Sequence, residues 1–386
     1  MKILVLDGNS SQCLPLIRSF KKAGHIVVLV CPGIFSSGFF SRYPDKKLIW
    51  PKSSDYPDKF YQQFISHVEK EYYDFVLGLS DVSTEMLSSH KQEIEKYIQT
   101  LVPDYKIYSK AANKYNTMRL CMENDIPCPL TVNEDEIDCD FFKEQLTFPV
   151  VVKPKRGVGA VGFSILSNPS DLEKCILDYR KKFGDLLVQE YIPNDLQYTA
   201  EVFCDKQSEI KACVISEKKR FFPLKGGTSS CNITIKNDEM ISISRTLLKK
   251  IGWVGPANID FILDPGDNTP KVIEINPRVG ATVKIAFLSG VDFSNMIITS
   301  INNKNIEKTS SYIKGIVLRN LLLDLLWFLF SSFTQKKSTY PGFFKFSGHN
   351  IYYQSFSKDD SGPLIGFFMS YVIKYSNLKK LINKFR

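Results

Sequence analysis

Residues 257–277 read ANIDFILDPGDNTPKVIEINP, two apolar runs on either side of the turn-rich segment PGDNTP. This pattern predicts a β-hairpin. Folding at the middle of the turn segment places Asp260 opposite Glu274 and Asn258 opposite Asn276. Because side chains alternate along a strand, these four polar residues share one face of the hairpin.

This polar face needs an explanation, because two carboxylates directly opposite each other on a sheet repel. A cation between them would remove the repulsion. The oxygen donors of Asp260, Glu274 and Asn276 suit Mg²⁺ or Mn²⁺ rather than zinc. Arg278, close behind on the same strand, cannot bind a metal but can bind a phosphate beside one. The sequence therefore predicts a metal site here, with an ordinary solvent-facing polar face as the alternative.

A glycine-rich loop precedes the hairpin in FPVVVKPKRGVGAVGFSIL, residues 148–166. Its glycines, in the spacing GxGxxG, are Gly157, Gly159 and Gly162. A Rossmann fingerprint would continue into a helix, whereas FSIL predicts a second strand. Two strands joined by a loop that carries Lys155 and Arg156, with Lys153 just before it on the strand, favour a flap over phosphates, with a plain glycine turn as the alternative. No H-R-D or D-F-G motif follows, which argues against a protein kinase.

The N-terminal part of the chain alternates short apolar runs with helical patterns. KILVLDG, IVVLVCPG and YDFVLGLSD are typical of buried strands, and SSQCLPLIRSFKKAGH has helical periodicity ending near Gly24. The segment STEMLSSHKQEIEKYIQ predicts one further helix capped by Ser83 or Thr84. This alternation favours an N-terminal parallel α/β unit of about 100 residues.

The C-terminal region, residues 306–386, is rich in aromatic residues. Its most apolar stretch, residues 315–333, contains Arg319 and Asp324, so we expect a buried or interfacial helix rather than a membrane span. The last stretch, YVIKYSNLKKLINKFR, has five basic and no acidic residues. It predicts a solvated helix packed on the body, with a helix on a membrane surface as the alternative.

Composition restricts the class of protein. The 386 residues include 44% hydrophobic ones, enough for two or three domains, and the formal net charge is +9. The basic residues are scattered, which favours small acidic substrates or plain solubility over nucleic acid. Nine cysteines without a CxxC pair argue against a disulfide framework or zinc site and predict a cytoplasmic protein. The first residues do not predict a signal peptide.

Taken together, the order of these motifs resembles the ATP-grasp superfamily. A lysine on an early helix precedes VVVKP with its glycine flap, the hinge QEYI, the motif GGTSS and the hairpin ending in EINPR. The resemblance extends over residues 1–305 and is closest to carboxylate–amine ligases of the carbamoyl-phosphate-synthase type, some of them from surface-polysaccharide gene clusters. VIEINPRVGAT is its most specific part.

The resemblance implies a fold of mixed α/β and α+β class. A Rossmann-like α/β domain at residues 1–108 would precede a two-part ATP-grasp domain at residues 109–305. The flap would belong to a subdomain at about 115–192 and the metal site to one at about 193–305. Residues 306–386 would form a small apolar and basic C-terminal region.

It also implies roles for individual residues. Asp260, Glu274 and Asn276 would hold Mg²⁺ or Mn²⁺, two ions in all, and Arg278 would contact the transferred phosphate. The residues implied to bind ATP are Lys114, Lys153, Arg156, Gly157, Gly159, Gly162, Gln189, Glu190, Tyr191, Ile192 and Gln197. The ribose position departs from the family's usual acid, because Gln197 occupies it. Asp195 or Glu201 could take that role instead.

An ATP-dependent ligase phosphorylates a carboxylate and lets an amine displace phosphate from the acyl phosphate. KRFFPLKGGTSSCN, residues 219–232, offers the side chains for this step, with an ordinary turn as the alternative. Arg220 and Lys225 would bind the substrate carboxylate. The expected donors to the oxyanion are Gly226, Gly227, Thr228 and Ser229.

We therefore expect an ADP-forming ligase that acts on a carboxylate and an amine, in surface-polysaccharide or amino-acid-conjugate biosynthesis. One alternative is an enzyme that activates bicarbonate or another small carboxylate, and another is a non-catalytic nucleotide sensor. The four histidines are scattered and suggest no triad. The resemblance makes a homodimer plausible, and the apolar C-terminal region leaves open a membrane-surface or lipid-linked substrate contact.

Overall fold

The computed structural model of the chain describes residues 1–137, 146–157, 162–193, 196–224 and 227–375, with the backbone alone at 371–375. These residues form three sheets and the helices that cover them. The helices are α1 (Cys13–Lys22), α2 (Pro57–Val68), α3 (Asp81–Ser89), α4 (Lys91–Ile94), α5 (Tyr105–Ala112), α6 (Lys114–Glu123), α7 (Leu172–Phe183), α8 (Asp238–Ile251), α9 (Lys284–Leu288), α10 (Phe293–Ile301), α11 (Leu321–Phe330), α12 (Phe333–Ser338) and α13 (Pro363–Tyr375).

A five-stranded parallel sheet forms the N-terminal part. Its strands are β1 (Lys2–Val5), β2 (Ile26–Cys31), β3 (Lys46–Ile49), β4 (Phe75–Leu77) and β5 (Gln99–Thr100), in the order β3-β2-β1-β4-β5. A parallel sheet is normally covered on both faces. Here Ile3 belongs to one core cluster with Ile17, whereas Leu4 belongs to another with Phe64. The predicted parallel α/β unit is confirmed.

The helix that follows β4 differs in detail from the prediction. Ser80, not Ser83 or Thr84, is the N-cap of α3. Its Oγ accepts from the Ser83 backbone N–H, and Ser83 Oγ accepts from the Ser80 backbone N–H, which forms a capping box. The predicted single helix is also wrong. The chain turns at His90 between α3 and α4.

A four-stranded antiparallel sheet carries the glycine loop. Its strands are β6 (Thr131–Asn133), β7 (Val150–Pro154), β8 (Ser164–Leu166) and β9 (Leu186–Glu190), in the order β6-β9-β7-β8. The loop joins β7 to β8, which pair antiparallel from Val150 opposite Leu166. The strand–loop–strand prediction is therefore confirmed, and α7 packs against this sheet through Leu172.

A seven-stranded sheet carries the hairpin. Its strands are β10 (Gln197–Cys204), β11 (Ile210–Phe222), β12 (Thr228–Ile235), β13 (Gly255–Leu263), β14 (Pro270–Asn276), β15 (Val317–Arg319) and β16 (Ile351–Tyr353). The order is β14-β13-β10-β11-β12-β15-β16, antiparallel except between β15 and β16. One face packs through Ala200 and Ile259 against α8, which leaves the other face for polar residues.

Residues beyond 305 do not stand apart from this sheet. Residues 315–333, expected to form a single helix, instead contain β15 and then α11, because Asn320 caps a new helix at Leu321. In the described part of the chain no helix has both the length and the apolar character needed to cross a membrane. The predicted division at residue 305 stays a prediction.

Candidate active site

The hairpin of β13 and β14 has the predicted register. Asp260 lies opposite Glu274 and Asn258 opposite Asn276, and the register shifts only beyond Asp260, at Phe261. The Asn276 amide donates to Asn258 Oδ1 at 3.0 Å. The two carboxylates and the two amides therefore form one polar wall, as the alternation of the two strands predicts.

Each carboxylate on this wall is paired with a lysine. Lys114 Nζ lies 3.2 Å from Glu274 Oε2, and Lys218 Nζ lies 2.8 Å from Asp260 Oδ1. Burial disfavours the charged form of Glu274, but the charges of Lys114, Lys153 and Lys218 outweigh it and hold the pKa below its ordinary value. Glu274 therefore keeps its negative charge at neutral pH.

Lys218 is a site residue that the sequence pattern did not single out. It lies on β11, opposite Gln197 on β10 and Asn232 on β12. Only this cross-strand register places it beside Asp260, and no motif marks it. The only signal in the sequence was the alternation of side chains along β11, which places Lys218 on the same face as Ser216.

The donor set suits a hard divalent cation. Two opposed carboxylates with amide oxygens beside them match the oxygen ligands of Mg²⁺. Among the described residues no group of three or more His, Cys, Asp or Glu side chains forms a metal site on its own. A cation here would thus depend on amide and ligand oxygens as well as on Asp260 and Glu274.

Lys153 on β7 reaches toward this wall from the four-stranded sheet. Its Nζ donates to Gln189 Oε1 at 2.8 Å. Burial lowers the pKa of Lys153 to about 8, helped by the charge of Lys114 and opposed by Glu274. Lys153 is therefore an ammonium group without a carboxylate partner of its own among the described residues.

The glycine loop begins beside Lys114. Lys114 donates to the Gly157 carbonyl at 2.5 Å, and Arg156 pairs with Glu85 of α3 at 2.6 Å. Gly157 and Gly162 have φ of 124° and 76°, values that favour glycine. Gly159 lies outside the described residues, and its predicted role stays a prediction.

The predicted hinge begins in the last two residues of β9 and continues beyond the strand. Glu190 Oε2 accepts from the Leu130 backbone N–H at 3.1 Å, while Gln189 is buried between Lys153 and Thr131. Tyr191 and Ile192 continue the segment.

The three candidates for the ribose position lie in different settings. Gln197 faces the cavity described below. Asp195 lies outside the described residues. Glu201 is buried and accepts from Gly280 N–H at 3.2 Å and Thr282 Oγ1 at 2.7 Å, so it is not available to a ribose.

Arg278 connects the end of the hairpin to the N-terminal part. Its Nε donates to Asp81 Oδ1 at 3.0 Å, at the first residue of α3. Its other contacts are with the Val279 carbonyl and, at 3.5 Å, Asn276 Oδ1. The guanidinium therefore lies beside the amide end of the polar wall.

Arg220 does not fit the role predicted for it. Its side chain is fully buried and pairs with Asp324 through Nε at 2.5 Å and Nη2 at 2.8 Å. Nη1 donates to Thr339 Oγ1 and to the Pro341 carbonyl. All three of its nitrogens donate to groups of the protein itself, so the geometry does not offer this guanidinium to a substrate carboxylate.

The GGTSS segment is described only in part. Lys225 and Gly226 lie outside the described residues. A Cβ on Gly227 would lie 2.4 Å from the Phe222 carbonyl carbon, so the close approach of the two strands requires glycine there. Thr228 and Ser229 begin β12 and contribute to the cavity wall.

A cavity of about 1790 Å³ joins these groups. The predicted site residues that line it are Lys114, Lys153, Arg156, Gly157, Gln189, Glu190, Tyr191, Ile192, Gln197, Arg220, Asp260, Glu274, Asn276 and Arg278. Asn9 and Lys52 of the N-terminal part also line it, as do Trp327 and Gln354 beyond residue 305. The C-terminal region, in which the sequence indicated no functional residues, thus forms part of the lining of the cavity.

A comparison with known protein families identifies the central part of the chain. Residues 111–282 match the ATP-grasp domain family. The chain carries an ATP-grasp domain. The polar wall, the glycine loop and the hinge all lie within the matched residues.

Two sequence relatives and one solved structure are consistent with this match. The chain is 22% identical to D-aspartate ligase of Enterococcus faecium over 322 residues, 76% of this chain and 75% of the relative. It is 24% identical to the carbamoyl phosphate synthase large chain of Clostridium acetobutylicum over 286 residues, 70% of this chain but 26% of that protein. The biotin carboxylase domain of Hydrogenobacter thermophilus 2-oxoglutarate carboxylase has the same fold, with a TM-score of 0.68, 18% identity and coverage of 82% of this chain and 73% of that one.

Proposed function

We propose that the protein is an ADP-forming, Mg²⁺-dependent ligase that joins a carboxylate to an amine through an acyl phosphate. The observation that carries the proposal is the polar wall of Asp260 and Glu274, which faces Lys114, Lys153 and Arg278 across one cavity of an ATP-grasp domain. The D-aspartate ligase relative, which matches over three quarters of both chains, supports an amine-consuming reaction.

The nucleotide would lie between the four-stranded sheet and the seven-stranded sheet. The hinge from Gln189 to Ile192 would contact the base, and Gln197 the ribose. Lys114, Lys153, Arg156 and the loop glycines Gly157, Gly159 and Gly162 would contact the phosphates.

Asp260, Glu274 and Asn276 would hold Mg²⁺ or Mn²⁺, two ions in our proposal, and these ions would neutralise phosphate charge. Lys114 and Lys218 then need not pair with the carboxylates and can turn toward the phosphates. Arg278, held by Asp81, would orient the transferred phosphoryl group. Lys225 would bind the substrate carboxylate, and Gly226, Gly227, Thr228 and Ser229 would donate to the oxyanion.

The chemical logic rests on the leaving group. A free carboxylate would have to expel oxide, whereas an acyl phosphate expels phosphate. In-line transfer from ATP forms the acyl O–P bond and breaks the β,γ-bridging bond with release of ADP. The amine nitrogen then attacks the acyl carbon, and the C–O bond to phosphate breaks as the nitrogen loses its proton.

A bicarbonate-activating enzyme is the second candidate. The carbamoyl phosphate synthase relative and the shared fold of the carboxylase domain, whose structure contains bicarbonate, favour it. The chain spans only about a quarter of that synthase, so the whole synthase activity does not transfer with the domain.

ADP release with Mg-ATP separates these candidates. The panel should contain D- and L-amino acids, uronic acids and bicarbonate, each with and without an amine, and hydroxylamine to trap any acyl phosphate as a hydroxamate. We expect one acid to give hydroxamate and an acid–amine pair to give the fastest ADP release. Stimulation by bicarbonate alone would favour the second candidate. Tight ATP binding without acid-dependent ADP release would contradict both and indicate a nucleotide sensor.

Lys153→Met should weaken ATP binding by roughly 10- to 100-fold, because a charge-assisted hydrogen bond is lost while the apolar stem stays. In the wild type, affinity should also fall as the pH rises above about 8, the pKa to which burial lowers Lys153. There the free enzyme loses the proton that phosphate binding requires, so affinity falls by up to about tenfold per pH unit until the higher pKa of the complex is reached.

Titration with a fluorescent ATP analogue at several pH values measures both effects. The variant should lack the pH dependence between pH 8 and 9, and Lys59→Met on the exposed side of α2 should behave as the wild type. Equal ATP affinity of Lys153→Met and wild type would remove Lys153 from the nucleotide site.

A further inference from the structure

Exposed large apolar side chains are concentrated beyond residue 320. Phe333 is 81% exposed, Phe344 72%, Leu329 60% and Phe346 47%. Single exposed apolar residues are ordinary on a protein surface, but a contiguous group indicates an interaction surface.

Ring contacts join Phe344 and Phe346 to Phe328 in one cluster, and Leu329 and Phe333 lie next to this cluster along the chain, on α11 and at the start of α12. Phe328 of α11 stacks on Phe343 with centroids 4.2 Å apart, and Phe344 lies edge-on to both rings at 5.2 Å. Phe346 lies 5.7 Å from Phe343, and Lys336 of α12 lies 4.9 Å above the Phe328 ring. We call Leu329, Phe333, Phe344 and Phe346, with Lys336 and Lys345, the aromatic surface.

The aromatic surface is held in place from beneath. The buried guanidinium of Arg319 donates to the Phe343 and Lys345 carbonyls, both at 2.8 Å. It also pairs with Asp324, 1% exposed at its side chain. A fully buried charged group therefore fixes a segment whose Phe344 ring points outward. Such a fixed ring is suited to binding, because little conformational freedom remains to be lost.

The charge on this surface identifies its partner. Between Asp324 and Asp359 the chain has four lysines, Lys336, Lys337, Lys345 and Lys358, and no Asp or Glu. A second copy of the surface across a two-fold axis would bring Lys336 and Lys345 of the two copies toward one another. Aromatic rings with interspersed lysines instead match an anionic lipid surface, where rings enter the interface and ammonium groups meet headgroup phosphates.

We propose that the aromatic surface docks the protein on anionic lipid. The same elements also line the cavity: Trp327 lies on α11, and Gln335 and Ser338 lie on α12. Docking would thus place one rim of the cavity near the lipid headgroups. The proposal does not depend on the reaction that the protein catalyses.

Sedimentation of the full chain with vesicles tests the proposal. One set should contain phosphatidylcholine alone and the other phosphatidylcholine with phosphatidylglycerol. We expect binding to the anionic set that weakens as salt increases. The double variant Phe333→Ser/Phe344→Ser should lose at least about tenfold in partitioning, because two large apolar side chains no longer insert. Lys336→Glu/Lys345→Glu should lose binding at low salt.

Matched variants outside the surface serve as controls. Tyr72→Ser, at a side chain 72% exposed in the N-terminal part, and Lys59→Glu should bind as the wild type does. The basic C-terminal residues 376–386 are the same in every variant, so a difference reports the aromatic surface alone. Binding that is absent, equal on both vesicle sets, or unchanged in the Phe333/Phe344 variant would overturn the proposal. A dimer in solution that the same variant dissociates, without any vesicle binding, would assign the surface to a second copy instead.

Discussion

Replacing Glu274 with glutamine should abolish Mg²⁺-dependent turnover and leave the fold intact. Glutamine keeps the shape and one oxygen donor, but the wall loses one of its two carboxylates. Lys114, Lys153 and Lys218 then face Asp260 alone. Since the loss of an outer-shell partner typically costs 10- to 100-fold in metal affinity or activity, the loss of a ligand should exceed about 100-fold in kcat/KM.

The measurement is acid-dependent ADP release as a function of Mg²⁺ concentration, with circular dichroism to verify the fold. The Glu274 side chain is 25% exposed, so Lys114 can turn toward solvent when its partner is lost. Asp267→Asn is the matched control, because it makes the same chemical change in the turn of the same hairpin. Unfolding of Glu274→Gln, with Asp267→Asn unaffected, would mean that the polar wall is structural and not a metal site.

The hairpin register could be predicted because it depends on local sequence only. Alternation and the position of the turn are enough to place Asp260 opposite Glu274, and the structure has that pairing. The strand–loop–strand arrangement around the glycines was predictable for the same reason. The start of α3 was harder to predict, because Ser80 and Ser83 are both residues that commonly cap helices. Only the geometry of their mutual hydrogen bonds shows which of them is the cap.

Residues brought together by long-range pairing could not be predicted. Lys218 reaches Asp260 only because β10 lies between β11 and β13. Arg220, two residues along β11, was expected to bind the substrate carboxylate as part of the segment KRFFPLKGGTSSCN. Its partner Asp324 lies 104 residues away, and the local sequence carries no sign of that pairing.

Asp324→Asn should destabilise the fold by about 3–5 kcal/mol. Asp324 accepts from Arg220 and Arg319, whose side chains are both 0% exposed, and from Ser230 Oγ at 3.3 Å. Removing the one carboxylate leaves two buried guanidinium groups without a counter-charge, which costs far more than the loss of a surface pair. Urea unfolding followed by circular dichroism measures the free energy of unfolding.

Asp55→Asn is the control for this prediction, because its pair with Lys52 is solvent-exposed and should contribute no more than about 1 kcal/mol. A local effect should accompany the global one. The Arg319 guanidinium can bind the Phe343 and Lys345 carbonyls only while Asp324 holds it in position. Trypsin should therefore cleave after Lys345 faster in Asp324→Asn than in the wild type. A loss below about 1 kcal/mol with unchanged cleavage would mean that water enters the cluster and solvates both arginines. The aromatic surface would then have to be held by packing of its rings alone.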